Sequence, residues 1–350
     1  MTQKTPNATL LHVARAAGVS RSTVSNVFSH PSRVRAEVIE KVRAVASSLG
    51  YSGPDPRGRL LRAGKVHAVG IIPPGTWGIA DSLKNPVFFQ QLLGISEVCD
   101  EVGASVLIIP DKKGSGGVQS ALVDSFIFSR FDQLAEIESA RLRRLPYVVL
   151  DADPGPDVNS VRVNARAGCH AAVRHLLDLG HRRFGIVSFL REFGPPHFHP
   201  PGRPRKPEDV GMEVDQEKLR GYADALAEEG ISIDDVPMVQ AHPWERDAAR
   251  MILDHAPGAT AILSMSAMQG IRVIEEAWLR GLVVPRDLSV VGYNDIPEAA
   301  LCNPPLTTIN SMGAEKGRLA AHIVFEPGAI RRKVIETRLV LRASTARVPS

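Results

Sequence analysis

The chain has 350 residues, of which 44% are hydrophobic and 23% charged, and its formal net charge is +4 at pH 7. This length exceeds one small core and fits a small domain attached to a body of two lobes. Three isolated cysteines, and no run of about 20 apolar residues, argue against a disulfide framework, a cysteine-based zinc site and a membrane span.

The first predicted elements form a helix-turn-helix. Thr9 is a good N-cap for a first helix, and Gly18 supplies the backbone freedom that ends it. Ser20 then caps a second short helix. Apolar residues at helical spacing define the inward faces: Leu10, Val13, Ala14 and Ala17 on the first helix, and Val24, Val27 and Phe28 on the second. Such a motif places its second helix in the major groove of DNA.

The outward face of the second helix predicts the DNA contacts. Arg21, Ser22 and Asn26 are placed to read base edges. Polar and basic residues on and beside this helix are expected to contact the DNA backbone: Ser20, Thr23, Ser25, His30, Arg33 and Arg35.

A third amphipathic helix is predicted over residues 36–49. It ends at Gly50 and Tyr51, and its apolar face consists of Val38, Val42, Val45, Ala46 and Leu49. The charge distribution supports a DNA-binding headpiece, because residues 1–65 hold 11 Lys/Arg against 3 Asp/Glu, whereas the rest of the chain holds 31 against 35. Residues 52–65 are rich in Pro and Gly and indicate a linker.

The remaining chain alternates apolar runs with helical patterns. The predicted strands cover 68–73, 105–109, 125–128, 147–150, 184–187, 261–263 and 289–292, and the predicted helices include 88–102, 165–179, 219–229 and 269–280. This alternation predicts two doubly wound α/β lobes, arranged as in periplasmic sugar-binding proteins. Ligands of such sheets lie beyond the carboxyl ends of the strands, so a cleft between the lobes is the expected binding site.

A set of short stretches, in a fixed order, resembles the lactose-repressor (LacI/GalR) family of bacterial transcription regulators. The matching residues are 9–10, 13–14, 17–20, 23–25, 49–51, 175–183, 284–297 and 305–309. The resemblance covers nearly the whole chain and implies four parts: a headpiece over 1–51, a hinge over 52–65, an N-terminal lobe over 66–163 with 294–325, and a C-terminal lobe over 164–293 with 326–350.

In this family the linker becomes a short hinge helix on the operator, and a leucine from each subunit enters the minor groove. Spacing back from Gly64 and the match of Arg59 to the family's hinge arginine favour Leu61 for this role, whereas counting on from Tyr51 favours Leu60. Arg59 would then contact the DNA backbone. A plain flexible tether is the alternative interpretation of the segment.

The resemblance also implies effector-binding positions, several of which are unusual here. Lys218 stands where the family usually has a bidentate arginine, Asn294 replaces an aspartate, and Ser264-Met265 replaces a Ser/Asn-Asp pair. Trp244 is expected to stack on the ligand, with Trp77 and Phe88 or Phe89 lining the opposite lobe and Asp151 binding ligand or shaping a turn. Lysine is a point charge and asparagine is neutral, so an acidic, modified or partly apolar metabolite competes with a sugar as the effector.

A Pro- and His-rich insertion, residues 191–217, is expected to form a mobile lid at the rim of the cleft. His197 and His199 suggest a metal site, but the loop offers no neighbouring ligand that completes one, so neither metal nor cofactor is expected.

The chain is not expected to be an enzyme, because it has no P-loop, Gly-x-Ser-x-Gly or His-Glu-x-x-His motif. The alternative is a solute-binding protein or hydrolase on the same two-lobe body, with a non-functional headpiece. Residues 1–6 carry no apolar signal region, so a cytoplasmic location is expected.

These features together predict a repressor that binds a pseudo-palindromic operator as a homodimer, under the control of a sugar or related metabolite. The C-terminal tail has no heptad repeat, which favours a dimer over a tetramer.

Overall fold

A computed structural model of the chain describes residues 8–53, 65–74, 78–110, 116–129, 134–191 and 194–348. The chain divides into two compact units, residues 1–66 and residues 67–350. No helix among these described residues is both long enough and apolar enough to cross a membrane.

The smaller unit is a three-helix headpiece with α1 (Leu10–Ala17), α2 (Arg21–Ser29) and α3 (Ala36–Ser48). Gly18 ends α1 with a left-handed backbone at φ 64°, and the Ser20 hydroxyl accepts the Thr23 N–H at 3.0 Å to cap α2. The helices enclose a small core of fully buried side chains: Val13, Ala17, Val24, Val27 and Val42. The predicted helix-turn-helix is therefore confirmed.

Leu49 departs from the predicted apolar face of α3. The helix ends at Ser48, and Leu49 is 41% exposed. The chain reverses at Gly50, whose φ is 66°, so the next side chain, Tyr51, returns to the core in its place. The Tyr51 ring packs edge-on against Phe28 at 5.6 Å between centroids.

The larger unit contains two sheets with helices on both faces, which confirms the two doubly wound lobes. Its strands are β1 (Ala68–Ile72), β2 (Ser105–Ile108), β3 (Ser125–Phe128), β4 (Tyr147–Leu150), β5 (Asn159–Val163), β6 (Phe184–Phe189), β7 (His197–His199), β8 (Met238–Ala241), β9 (Ala261–Ser264), β10 (Ser289–Tyr293), β11 (Thr307–Asn310), β12 (Arg332–Ile335) and β13 (Arg338–Val340). Its helices are α4 (Ile79–Leu83), α5 (Pro86–Val102), α6 (Gly117–Ser120), α7 (Leu134–Leu142), α8 (Ala165–Asp178), α9 (Glu213–Ala227), α10 (Asp247–His255), α11 (Ala267–Leu279), α12 (Pro297–Leu301) and α13 (Gly313–Phe325).

The N-terminal lobe has a six-stranded parallel sheet in the order β12-β5-β4-β3-β1-β2. The C-terminal lobe has a seven-stranded sheet in the order β13-β11-β10-β9-β6-β8-β7, in which only the two edge strands run antiparallel. The chain passes between the lobes three times: from β5 to α8, from β11 to α13, and from β12 to β13.

These crossings correct two of the expected lobe boundaries. The assignment of residues 294–325 to the N-terminal lobe is wrong for β11, which pairs with β10 through Val291 opposite Thr307. The assignment of residues 326–350 to the C-terminal lobe is wrong for β12, which pairs with β5 through Arg332 opposite Ser160. Backbone pairing decides the lobe of each strand, so the chain crosses directly after β11 and again directly after β12.

The insertion over residues 191–217 is anchored to the C-terminal lobe, contrary to the expected lid. β7 adds an antiparallel edge strand to β8, with Phe198 opposite Val239. The Arg205 guanidinium donates to the Ile233 carbonyl at 2.5 Å, and the Arg205 N–H donates to the Asp234 carboxylate at 2.9 Å. Edge pairing and these buried hydrogen bonds hold the segment against the lobe.

Two glycines allow α5 and α13 to approach each other closely in the N-terminal lobe. A Cβ atom on Gly94 would lie 1.9 Å from the Ala314 carbonyl oxygen, and one on Gly317 would lie 2.0 Å from the Gln91 carbonyl oxygen. This contact brings Gln91 and Lys316 together at the edge of the sheet that faces the other lobe.

Candidate DNA-binding surface and ligand cleft

The outward face of α2 carries the predicted base-reading residues. Arg21 and Ser22 are exposed, while Asn26 is partly buried. At the start of the helix, the Ser20 hydroxyl lies 2.7 Å from the Ser22 hydroxyl and 2.8 Å from that of Thr23. Ser20 is thus occupied as the helix cap, and Arg21 and Ser22 are the side chains most open to a groove.

Basic residues continue this surface into the turn between α2 and α3. His30, Arg33 and Arg35 are exposed, and Ser25 is partly buried on α2. Exposed cations beside a recognition helix can neutralise phosphate groups. Arg59, Leu60 and Leu61 lie outside the described residues, as does Trp77 of the larger unit.

In the C-terminal lobe, Lys218 is buried at the carboxyl ends of three strands. Its ammonium donates to Asp215 Oδ1 at 2.9 Å and to the Met265 carbonyl at 3.1 Å. It also lies 4.3 Å from the centroid of the Tyr293 ring and 5.1 Å from that of Phe189. Lys218 therefore lies where the cleft is predicted, as one half of an ion pair.

A second buried pair lies across the cleft in the N-terminal lobe. The Lys316 ammonium donates to both carboxylate oxygens of Asp151, at 2.7 and 2.6 Å, and Gln91 Nε2 donates to the same carboxylate at 3.2 Å. Asp151 follows β4 with a left-handed backbone at φ 55°. Neither Gln91 nor Lys316 is predicted as a site residue from the sequence.

The Tyr293 ring lies beside the Lys218 ion pair, with its centroid 4.3 Å from the ammonium. Burial raises the pKa of its phenol well above the ordinary value, and the charges of Cys169, Asp151 and Asp215 raise this pKa further. Asp151 belongs to one lobe and Asp215 to the other, so carboxylates of both lobes contribute to this shift.

Several buried polar atoms in the two lobes have no hydrogen-bond partner within the described structure. They are Ser188 Oγ, Ser264 Oγ, Gln269 Oε1, Gln91 Oε1 and the Tyr293 hydroxyl. Ser188 and Ser264 lie at the ends of their strands, Gln269 lies in the first turn of α11 and Gln91 in the second turn of α5. Gln269 Nε2 donates to the Ser188 carbonyl at 3.1 Å. Buried polar atoms usually pair, so each of these atoms lacks the partner that its burial would normally require.

The other predicted effector-binding residues each have a different environment. Ser264 and Met265 are fully buried, and Met265 contributes its carbonyl rather than its side chain. Asn294 is partly buried with φ 92°, beside Asp295, whose carboxylate pairs with Arg342 at 2.7 Å. Trp244 stacks on His242 with 4.7 Å between the ring centroids.

Phe88 does not line the cleft. Its ring is 1% exposed and lies in the core of the N-terminal lobe, whereas the adjacent Phe89 is 58% exposed. The helix instead presents Gln91, one turn beyond Phe88 on the buried face, to Asp151.

The lobes also touch directly at the rim of the cleft. The carboxylate of Glu213, the first residue of α9, accepts the backbone N–H of Asp153 at 3.1 to 3.2 Å. The Gly155 N–H, with help from Arg162 and Arg332, lowers the pKa of the Asp153 carboxyl. Both carboxylates of the predicted acidic pair, Asp151 and Asp153, are thus held in ion pairs.

The described His, Cys, Asp and Glu side chains form no group of three or more that could hold a metal ion. His199 Nε2 lies 2.8 Å from Gln240 Oε1, and the His197 ring packs edge-on against it. Burial lowers the pKa of His199.

A helix-turn-helix headpiece joined to a two-lobed body with a polar cleft defines a class of transcriptional regulators. A model of bacterial regulatory proteins of the lacI family matches residues 9–53, and a model of the periplasmic binding protein-like domain matches residues 173–345. An HTH-type transcriptional regulator of Mycolicibacterium smegmatis is 30% identical over 98% of this chain and 97% of the relative. The chain belongs to the lacI family and is a transcriptional regulator of that family.

Other similar proteins agree with this assignment. The ribose operon repressor of Escherichia coli is 26% identical over 97% of this chain and its own full length. The structure of a CelR–cellobiose complex aligns with a TM-score of 0.66 at 26% identity, covering 96% of this chain and 99% of that one. A lac repressor dimer bound to operator and the anti-inducer ONPF aligns with a TM-score of 0.76 over 97% and 100%, but at 22% identity it shows the fold alone.

Proposed function

We propose that this regulator is a repressor that binds a pseudo-palindromic operator as a homodimer and is controlled by a small molecule between its lobes. The observation that carries the proposal is the exposed face of α2, where Arg21 and Ser22 project from a helix whose other side forms the headpiece core. The family relationship, which extends along nearly the whole chain, supports the same function.

DNA contacts divide into base reading and backbone positioning. Arg21, Ser22 and Asn26 would read base edges in the major groove, where a good bidentate contact contributes about 1 to 3 kcal/mol of discrimination. The backbone contacts would come from Ser20, Thr23, Ser25, His30, Arg33, Arg35 and Arg59. The hinge leucine, Leu61 or Leu60, would enter the minor groove between the two half-sites.

The effector would bind between the two lysine–aspartate pairs. The unpartnered hydroxyl and amide atoms of Ser188, Ser264, Gln269 and Gln91 support a polar ligand at this place. A ribose repressor and a cellobiose-bound regulator among the similar proteins support a sugar or a related metabolite. Asn294 and Trp244 complete the predicted set around the rim.

DNA and effector binding would be coupled through the arrangement of the lobes. Coupling between two binding sites is reciprocal, so an effector that weakens operator binding must itself bind more weakly to the DNA complex. Catalysis has no part in this proposal, because the acidic pair Asp151 and Asp153 is committed to Lys316, Arg162 and Arg332. We place the protein in the cytoplasm with its DNA.

Operator binding tests the proposal. The full chain is titrated onto the promoter region beside its own gene, with and without sugars, sugar acids and nucleosides. Saturable, salt-sensitive binding to a palindrome, shifted by one compound, is the expected result. Failure to bind any specific sequence would favour the alternative of a solute-binding body with a non-functional headpiece.

A further inference from the structure

We propose that Asp215 keeps the cleft electrically neutral, so that this regulator responds to an uncharged, hydrogen-bond-donating compound and rejects acids and phosphate esters. The inference rests on the proposed function of the cleft as the effector site. It assigns to Asp215 a role in ligand selection.

The Lys218 ammonium is already engaged by a carboxylate, a carbonyl oxygen and an aromatic ring. Two of its contacts go to Asp215 Oδ1 and to the Met265 carbonyl, and the ammonium also lies over the Tyr293 ring. The Lys218 side chain is 4% exposed and that of Asp215 is 7% exposed. A buried ion pair of this kind presents no net charge to its surroundings.

The opposite wall of the cleft is neutralised in the same way. Lys316, with its side chain 2% exposed, is held by both oxygens of Asp151. At the rim, Arg342 pairs with Asp295 at 2.7 Å. Each of these three cations in the described part of the cleft therefore has its own carboxylate.

The uncommitted atoms select for hydrogen-bond donors. Gln91 Oε1 and Gln269 Oε1 can only accept, while the hydroxyls of Ser188, Ser264 and Tyr293 can accept or donate. A polyhydroxylated or amide-bearing neutral ligand satisfies these atoms. A carboxylate or phosphate would lose its water shell and meet two acceptor oxygens, while Lys218, Lys316 and Arg342 are already paired with carboxylates.

Asp215 is held rigidly in its neutralising position. Its Oδ2 accepts the Met212 N–H at 2.9 Å, and a Cβ atom on Gly211 would lie 2.3 Å from the same oxygen. The carboxylate cannot swing away from Lys218 to admit an anion without losing this hydrogen bond. Changing its charge without changing its shape therefore exposes the cation.

The test compares the full-length wild type with Asp215→Asn, which frees the Lys218 charge, and with Asp224→Asn as a matched control. Asp224 lies on the same helix and pairs with the exposed Arg166 at 2.6 Å, outside the cleft. Calorimetric titration uses inorganic phosphate and gluconate as anionic probes, and ribose and cellobiose as neutral ones. Operator binding is measured on the same preparations.

We expect D215N to gain saturable phosphate or gluconate binding at least about tenfold tighter than in wild type, whereas D224N matches wild type. Adding K218Q to D215N should abolish the gain. A folded D215N with no such gain would overturn the inference, and so would wild-type anion binding that K218Q removes.

If D215N does not fold, anion binding by the wild type and by a double variant tests the inference instead. The double variant D215N/K218Q leaves no unpaired buried charge. The wild type should bind the anions no more tightly than this double variant binds them. Loss of operator binding with these ligand results intact would count against the proposed DNA function alone, so the two failures are distinguishable.

Discussion

The carboxylate of Glu213 and the backbone N–H of Asp153 form a hydrogen bond between the two lobes. Glu213 begins α9 of the C-terminal lobe, and Asp153 follows β4 of the N-terminal lobe. The bond closes the rim of the cleft beside the two buried ion pairs. A carboxylate at a helix N-terminus is also favoured by the helix dipole, so Glu213 is stabilised in this position.

Replacing Glu213 by Ala should loosen the closed cleft. A hydrogen bond to a charged group contributes about 1.5 to 3 kcal/mol, so amide exchange at Asp153 should accelerate at least about tenfold. Hydrogen exchange with mass spectrometry measures this rate. Glu217→Ala, one turn later and paired with Arg220 on the same helix, is the control. Equal exchange rates of the Asp153 amide in E213A and E217A would show that this hydrogen bond does not keep the cleft closed.

Replacing Arg21 by Ala should reduce sequence discrimination by the headpiece. Loss of one base contact should cost about 1 to 3 kcal/mol on the specific operator and much less on random DNA. Arg33→Ala is the comparison, because a phosphate contact should weaken both DNAs alike and lower the salt slope by about 1. Binding curves at several salt concentrations separate these two patterns. If R21A weakened binding to both DNAs equally, Arg21 would contact the DNA backbone rather than a base.

Leu61→Ala should weaken specific binding much more than non-specific binding, because an intercalating side chain acts only on the bent operator. Leu60→Ala should have the smaller effect. Both variants are compared on operator and random DNA at one salt concentration. Equal losses on the two DNAs by L61A would mean that Leu60 is the wedge, or that no leucine intercalates.

Replacing Gly317 by Ala should destabilise the N-terminal lobe. The new Cβ atom would lie 2.0 Å from the Gln91 carbonyl, so α5 and α13 must separate, at a cost of about 1 to 3 kcal/mol. Gly328→Ala is the control, since nothing lies within 4 Å of its Cβ position. Urea unfolding compares the two variants. A midpoint unchanged by G317A would contradict the close approach of the helices.

His181 should make the stability of the C-terminal lobe depend on pH. Burial lowers its pKa below 6.5, although the hydrogen bond to the Ala346 carbonyl opposes this shift. Since the unfolded chain binds the proton more readily, the stabilisation present above about pH 6.5 is lost as the pH falls through the lowered pKa. Thermal unfolding from about pH 8 to pH 5 should show a shallower decline in His181→Gln. Identical pH profiles would exclude this role.

The strands that were easiest to predict are those buried on both faces. β3 and β4 have the predicted bounds, because apolar residues occupy every position except Ser125 at the start of β3. β12 and β13 escape prediction, since they lie at sheet edges and carry Arg332, Lys333 and Arg338. Their pairing depends on partners far away in the sequence, which no local pattern reveals.

The residues of the cleft also divide into those that the sequence reveals and those that only the fold reveals. Lys218 is recognisable from its spacing to Gly221, and its partner Asp215, three residues earlier on the same helix, was within reach of helical periodicity. The pair of Asp151 and Lys316 joins residues 165 positions apart, so only the fold reveals it. Phe88 illustrates the opposite error, because an aromatic residue near a cleft more often belongs to the core.

The two sheets share a dependence on the end of the chain. β12 is the edge of the N-terminal sheet and β13, two residues later, is the edge of the C-terminal sheet. Only residues 336 and 337 separate these two strands, so the edge of one sheet cannot shift far without displacing the edge of the other. One short segment therefore ties the edge of the N-terminal lobe to the edge of the C-terminal lobe.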